Sequence, residues 1–213
     1  MNKQKLSFIA MLFMILFSFS GLLVLLGFNT NLASITLVIG IVFYFVTRDA
    51  EQKEAMSLKA VPGVLKDWKT DLLIFVPAVM DIICYALAKM VVPEFLEHLS
   101  DRIDFLSFNA IIVLIAELVI AALGEEIAWR GFFLERLSKY ISFLPALLIT
   151  AVLFAVCHFS VGSLVVVLYD LLFIVINAIF YGLIYKRTGS IIVSTISHLL
   201  ANLVGVFGLF LIL

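Results

Sequence analysis

The chain has 213 residues, of which 64% are hydrophobic and 14% charged, with a mean hydropathy of +1.23. Soluble domains carry about 45–50% apolar and about 25% charged residues, so the composition rules out disorder and argues against a soluble fold in favour of one polytopic membrane domain. A net charge of −1 leaves no basic field to attract nucleic acid. Cys84 and Cys157 both lie in apolar runs, with no CxxC and no Cys/His zinc set, which excludes a disulfide framework.

At about 20 apolar residues per span, the sequence divides into seven predicted transmembrane helices. The first run is Leu6–Phe28, preceded by Lys3 and Lys5. It is longer than the apolar region of a signal peptide and no A-x-A site closes it, so it reads as a span. The second is about Leu32–Val46. The polar stretch Thr47–Thr70 follows, with Asp49–Lys59 as a short surface helix, Pro62-Gly63 as a break and Trp68 as an interfacial anchor. The third span, Leu72–Val92, stops at Pro93 and leads into the acidic connector Glu94–Asp104, where His98 reads as solvated. Phe105–Leu137 is apolar but carries several charges and exceeds one span, so part of it is expected to be interfacial or re-entrant. Phe143–Phe159, Leu164–Tyr185 and Ile191–Leu213 complete the set.

The expectation is therefore an all-α, polytopic membrane helical bundle of about seven transmembrane helices. Lys and Arg test the order. The connectors after spans two, four and six hold Arg48, Lys53, Lys59, Lys66 and Lys69, then Arg136 and Lys139, then Lys186 and Arg187. The alternate connectors hold only Arg102, with Lys89 near the end of span three. Cytosolic loops carry the excess of Lys and Arg, which predicts a cytosolic N-terminus and an external C-terminus.

An ionisable residue within a span is a functional candidate and costs about 2.5–3.5 kcal/mol at a helix centre on insertion scales. Span four carries Glu125, Glu126 and Arg130 within six residues. Glu126 and Arg130 are i,i+4 and share a face, with the acid N-terminal, the better orientation. Glu125 is rotated about 100° away, toward Trp129, with no partner on its own helix. A carboxylate in that setting is suited to general acid or base chemistry. His158 closes span five one turn after Phe154, and His198 and Asn202 share a face of span seven. Counted from the cytosolic ends, Glu125 and His158 lie roughly 20 Å deep, His198 roughly 12 Å and Asn202 roughly 18 Å. These depths permit one cluster near mid-membrane, reachable from the cytosol. Asp81, Glu117, Asp170, Asn177 and Tyr181 are also polar within spans, and interhelical hydrogen bonding is the expectation for them.

Three segments carry a family resemblance. Glu125-Glu126-Ile-Ala-Trp-Arg130-Gly131 is similar to an E-E-x-x-x-R signature, Phe154-Ala-Val-Cys-His158 to F-x-x-x-H, and His198-Leu-Leu-Ala-Asn202 to H-x-x-x-N, the last preceded by Gly189-Ser190-Ile191 and Ser194. In order, spacing and membrane setting the chain resembles the CPBP intramembrane proteases, the CaaX prenyl protease type II and bacteriocin-processing (Abi) group. The resemblance covers roughly residues 106–207; Trp129 stands where Phe or Tyr often precedes the Arg. It divides the chain into N-terminal transmembrane helices with a cytosolic linker, 1–105, and a catalytic core, 106–213.

The resemblance implies hydrolysis of a peptide bond in a membrane-bound peptide or protein, within the bilayer and near the cytosolic leaflet. Glu125 with His158 would activate the water. His198 and Asn202 would hold the oxyanion, while Glu126, Arg130 and Phe154 support them. The compact form resembles bacterial members, which implies a plasma-membrane setting and a role in bacteriocin maturation or self-immunity. Glu125, His158 and His198 would also suit one divalent metal such as zinc. There is no H-E-x-x-H and Asn is a poor zinc ligand, so the metal-free glutamate route is preferred. Two other functions compete. One is a non-enzymatic bacteriocin immunity protein acting by binding, which would tolerate loss of Glu125. The other is a proton-coupled transporter with Glu125 and Glu126 as relay; the lack of visible repeats speaks against it.

Overall fold

A computed structural model describes residues 2–28, 32–58, 61–64, 66–103 and 111–212. In lipid every backbone polar group must be paired within its own segment, which turns apolar runs into helices. The outcome is an all-α bundle with no strand among the described residues. Its elements are α1 (Lys3–Ser18, continuing as a 3₁₀ turn Phe19–Leu26), α2 (Ser34–Thr47), α3 (Ala50–Glu54), α4 (Val61–Val64), α5 (Trp68–Val91), α6 (Glu94–Ile103), α7 (Ile111–Glu126), α8 (Glu135–Leu137), α9 (Phe143–Cys157), α10 (Leu164–Thr188) and α11 (Ile191–Ile212). Four helical stretches, Lys3–Leu26, Trp68–Val91, Leu164–Thr188 and Ile191–Leu209, are long and apolar enough to cross a membrane; Ser34–Thr47 and Phe143–Cys157 are shorter apolar helices.

Local chemistry sets the helix ends. The Asn2 carboxamide accepts from the Gln4 amide at 2.6 Å and caps α1. Asp67 caps α5 by accepting from Lys69, and Ser163 caps α10 by accepting from Val166. The α10 terminus follows Lys186 and Arg187 and turns at Gly189, whose φ of +64° lies in the left-handed region.

Within the described residues span four is helical without a break from Ile111 to Leu137; Phe105–Ala110, on which part of the interfacial or re-entrant expectation falls, and with them the expected boundary at 105/106, lie outside the described residues. A π-helical stretch, Ile127–Leu134, lies between α7 and α8. A π turn closes i→i+5 and winds wider than an α turn, so it advances the chain less per residue. All eight of its residues are buried.

The three cationic connectors meet at one end of the bundle. Lys139 lies 3.3 Å from Asp49, Arg136 donates to the Thr47 carbonyl at 2.7 Å, and Arg187 donates to Asp67 at 2.6 Å. The Thr70 hydroxyl and then Arg187 hold the Asp67 carboxyl below its usual range, at about 2. The expected surface helix shortens to α3, and Lys59 lies outside the described residues. Gln52 within α3 is 2% exposed, because its amide donates to the Gly131 carbonyl at 2.8 Å and accepts from Arg136 at 2.6 Å. At the opposite end α6 folds back over the bundle. His98 is therefore not solvated: its side chain is 10% exposed, hydrogen-bonds Ser160 at 2.9 Å and lies 3.9 Å from Asp170.

The main core joins Ala10, Met11 and Met14 of α1 and Tyr44 of α2 to Trp129, Phe132 and Phe133 of the π stretch and Leu147 and Phe154 of α9. Between bilayer helices, lipid is as apolar as a partner side chain, so close packing has to come from small residues. At Gly40 of α2 an added Cβ would stand 2.5 Å from the Ala128 Cβ and 2.7 Å from its Cα. Neither atom can rotate aside. Gly40→Ala should therefore destabilise the purified protein by about 1–3 kcal/mol, the usual cost of overpacking, and lower its melting midpoint in detergent. Gly63→Ala, with nothing within 4 Å of the new Cβ, is the control and should melt like wild type.

Candidate active site

The arrangement begins with one carboxylate that has no contact with solvent. Glu126 is 0% exposed and Arg130 1%. Arg130 Nη1 donates to Glu126 Oε1 at 2.9 Å and Nη2 to the Ala178 carbonyl of α10 at 3.0 Å. The guanidinium also lies 4.8 Å from the Phe154 ring centroid and 5.1 Å from that of Tyr181, two cation–π contacts in a dry setting. From α11, the Ser194 hydroxyl donates to Glu126 Oε2 at 2.5 Å and His198 Nδ1 meets Oε1 at 2.9 Å. One side chain thus binds its own helix, and through Arg130 and His198 fastens α10 and α11 to it.

Glu125, one position earlier, points elsewhere. Its side chain is 23% exposed and its oxygens lie 3.6 Å from His198 Nε2 and 4.0 Å from His158 Nε2. Both imidazoles use Nδ1 for another partner: His158 Nδ1 donates to the Phe154 carbonyl at 2.8 Å, and His198 Nδ1 donates to Glu126. The Nε2 edges are thereby turned toward Glu125. Phe154 walls this space, 4.6 Å from the His158 ring and 6.1 Å from the His198 ring, and is braced edge-on by Trp129 at 5.9 Å. Asn202 lies one turn beyond His198 and lines the same cavity of about 290 Å³, together with Glu125, His158 and His198.

The structure thus brings together all seven residues singled out from the sequence. Two further side chains belong with them. Tyr181 stacks under His198, centroids 4.4 Å apart and planes 17° from parallel, and also faces Arg130. Interhelical hydrogen bonding was the expectation for it. The aromatic faces of Phe154 and Tyr181 on either side of one guanidinium become visible only with three helices in place. Ser194 precedes His198 by one turn and so shares its face, the spacing that marks it in the sequence. Asn177 behaves as expected, donating to Asp81 across α5 and α10 at 2.7 Å.

No three His, Cys, Asp or Glu side chains among the described residues stand close enough to enclose a metal ion. Glu125, His158 and His198 form an open arc and not a closed ligand set. Toward the cationic end, Trp129, Phe132, Phe133, Ser190 and Ile191 are each at most 2% exposed.

Residues 107–204 match the family described as type II CAAX prenyl endopeptidase Rce1-like. No curated protein and no solved structure gives a match.

The two adjacent glutamates should separate on substitution. Arg130→Ala leaves the Glu126 charge buried without its counterion, a loss of about 3–5 kcal/mol for a broken buried pair; the yield of folded protein and its melting midpoint should both fall. Glu125→Gln alters a side chain open to the cavity and should melt like wild type.

Proposed function

We propose, from the match of residues 107–204 to the type II CAAX prenyl endopeptidase Rce1-like family, an intramembrane endopeptidase in which Glu125 activates the hydrolytic water. The observation that carries this reading is the arc of Glu125 Oε1 and Oε2 against His158 Nε2 and His198 Nε2 at 4.0 and 3.6 Å. Polar groups at such separations are suited to sharing a bridging water. Residues 106–213 are the catalytic core in this scheme, and residues 1–105 its scaffold.

Amide hydrolysis needs a base for the water, donors for the oxyanion and an acid for the leaving amine. Glu125 takes the proton as the water oxygen attacks the scissile carbonyl carbon. His158, held in one tautomer by the Phe154 carbonyl, orients that water. The Asn202 amide and His198 Nε2–H donate to the carbonyl oxygen as it gains charge. Glu126 accepts from His198 Nδ1 and so fixes the ring with Nε2 facing the cavity. Glu125 then returns its proton to the departing nitrogen as the C–N bond breaks. Processing of a bacteriocin-like peptide, or self-immunity by cleavage, is the role this reading assigns.

Cleavage of a membrane-associated peptide by purified protein tests the scheme. Glu125→Gln keeps the shape but takes no proton and should abolish turnover. Asn202→Ala should cost about 100- to 1,000-fold, the usual loss for one oxyanion donor. Thorough chelation should leave the rate unchanged; stoichiometric metal that tracks activity would overturn the metal-free route. Activity that survives Glu125→Gln would overturn the enzyme reading and favour immunity by binding.

A further inference from the structure

His198 faces both glutamates of the site, with Nδ1 2.9 Å from Glu126 Oε1 and Nε2 3.6 Å from Glu125 Oε2. The hydrogen bond at Nδ1 fixes one point of the imidazole. It leaves the ring some freedom to turn, because the χ2 torsion of histidine has broad wells. Nε2 keeps its aim at Glu125 only if the plane of the ring is fixed as well. That plane comes from α10. The Tyr181 ring lies 4.4 Å from the His198 ring, with the two planes 17° from parallel. Phe154 meets the same imidazole edge-on, at 6.1 Å and 77°, so it borders the ring without giving it a parallel face. Tyr181 is itself firmly held. It is 2% exposed. Its carbonyl lies 3.0 Å from the hydroxyl of Ser194, one turn before His198 on α11. Its ring centroid stands 5.1 Å from the Arg130 guanidinium, which donates to the carbonyl of Ala178 three residues earlier on α10. A ring braced in this way does not follow the imidazole if the imidazole turns.

We propose that Tyr181 is a positioning residue for the reaction: its ring holds the plane of His198, so that Nε2 stays aimed at the space beside Glu125 while Glu126 holds Nδ1. The aromatic face acts here, and the phenol hydroxyl does not. This deepens the endopeptidase reading and rests on it for the word reaction; the hold on the ring rests only on the stacking geometry. Stacked aromatic pairs contribute enough beyond their buried area to shift an opening equilibrium about two- to twelve-fold. Turnover is more sensitive, because displacing a catalytic group by about 1 Å costs on the order of 100-fold in rate.

Three variants separate a ring that orients from a side chain that fills space. Tyr181→Phe keeps the ring, while Tyr181→Leu and Tyr181→Met keep much of the volume without it. The chain has 3 histidines, so NMR of histidine-labelled protein in detergent resolves His198, assigned by the signal that His198→Gln lacks. The Nδ1 proton of His198 should exchange with water about two- to twelve-fold faster in the two aliphatic variants than in wild type, through easier opening of the bond to Glu126. Tyr181→Phe should restore the wild-type rate. On a fluorogenic peptide anchored to the micelle by a lipid chain, the aliphatic variants should lose about ten- to hundred-fold in kcat with KM little changed, and Tyr181→Phe should recover it. Aliphatic variants that exchange and cleave like wild type overturn the proposal. So does a Tyr181→Phe as fast in exchange, or as slow in turnover, as Tyr181→Leu, since that puts the effect in the hydroxyl. The Phe variant removes the hydroxyl alone, so it keeps the proposal open to refutation even where neither aliphatic variant folds. Exchange that follows the ring, with no cleavage by any form including wild type, leaves the hold on His198 standing and removes the endopeptidase reading. Cleavage that Glu125→Gln abolishes and every Tyr181 variant retains does the opposite.

Discussion

The Glu126 carboxylate is the constraint on which the architecture turns. A charge without solvent contact is tolerated only when its lone pairs are met by donors, and those donors are three side chains on two elements: Arg130 on its own helix, Ser194 and His198 on α11. Arg130 in turn spends its second nitrogen on the Ala178 carbonyl of α10. None of these bonds survives a change of register between α7, α10 and α11. The interaction that makes the buried charge tolerable therefore also holds the His198 ring at a fixed angle, with Nε2 toward Glu125. Stability and preorganisation are served by the same atoms, so a change at either Ser194 or Arg130 acts on both.

The N-terminal helices find their role in this picture. The wide π turn places Trp129, Phe132 and Phe133 inward while its backbone needs partners of its own. Gln52 supplies one at the Gly131 carbonyl, Arg136 ties the end of the stretch to Thr47, and Tyr44 donates to the Gln52 carbonyl. Gly40 lets α2 approach Ala128 closely enough for this clasp to form. The helices that match no recognised motif thus brace the segment that carries Glu125, Glu126 and Arg130.

Much of this is legible in the sequence because membrane physics narrows the choices. Apolar runs have to be helices, charges within them have to meet, and i,i+4 spacing puts Glu126 with Arg130 and His198 with Asn202. Hidden from the sequence is whatever depends on the third dimension between helices. Gln52 reads as a surface residue because its partner, a backbone carbonyl 79 positions away, leaves no trace in side-chain pattern. His98 reads as solvated because nothing local says that α6 folds back onto Ser160. The π stretch is silent because an all-round buried segment needs no amphipathic period, and its eight residues fit an α-helical pattern equally well.

The cavity raises a different physical question, namely what keeps α5, α10 and α11 apart around it without a hydrophobic force between lipid-bathed helices. Polar bonds serve that end better than apolar contacts, which slide. Asn177 donates to Asp81, and Tyr169 donates to the Cys84 carbonyl, both between α10 and α5; Tyr85 donates to the Gly205 carbonyl between α5 and α11. Each ends on a fixed acceptor and each flanks the hollow half of the bundle. On the solid half the burden falls on one charge network and a dense aromatic layer. The molecule thus divides along its helices into a rigid floor, where Glu126 is held dry, and a strutted chamber, where Glu125 meets whatever enters. The step from one regime to the other occurs between two adjacent residues of α7.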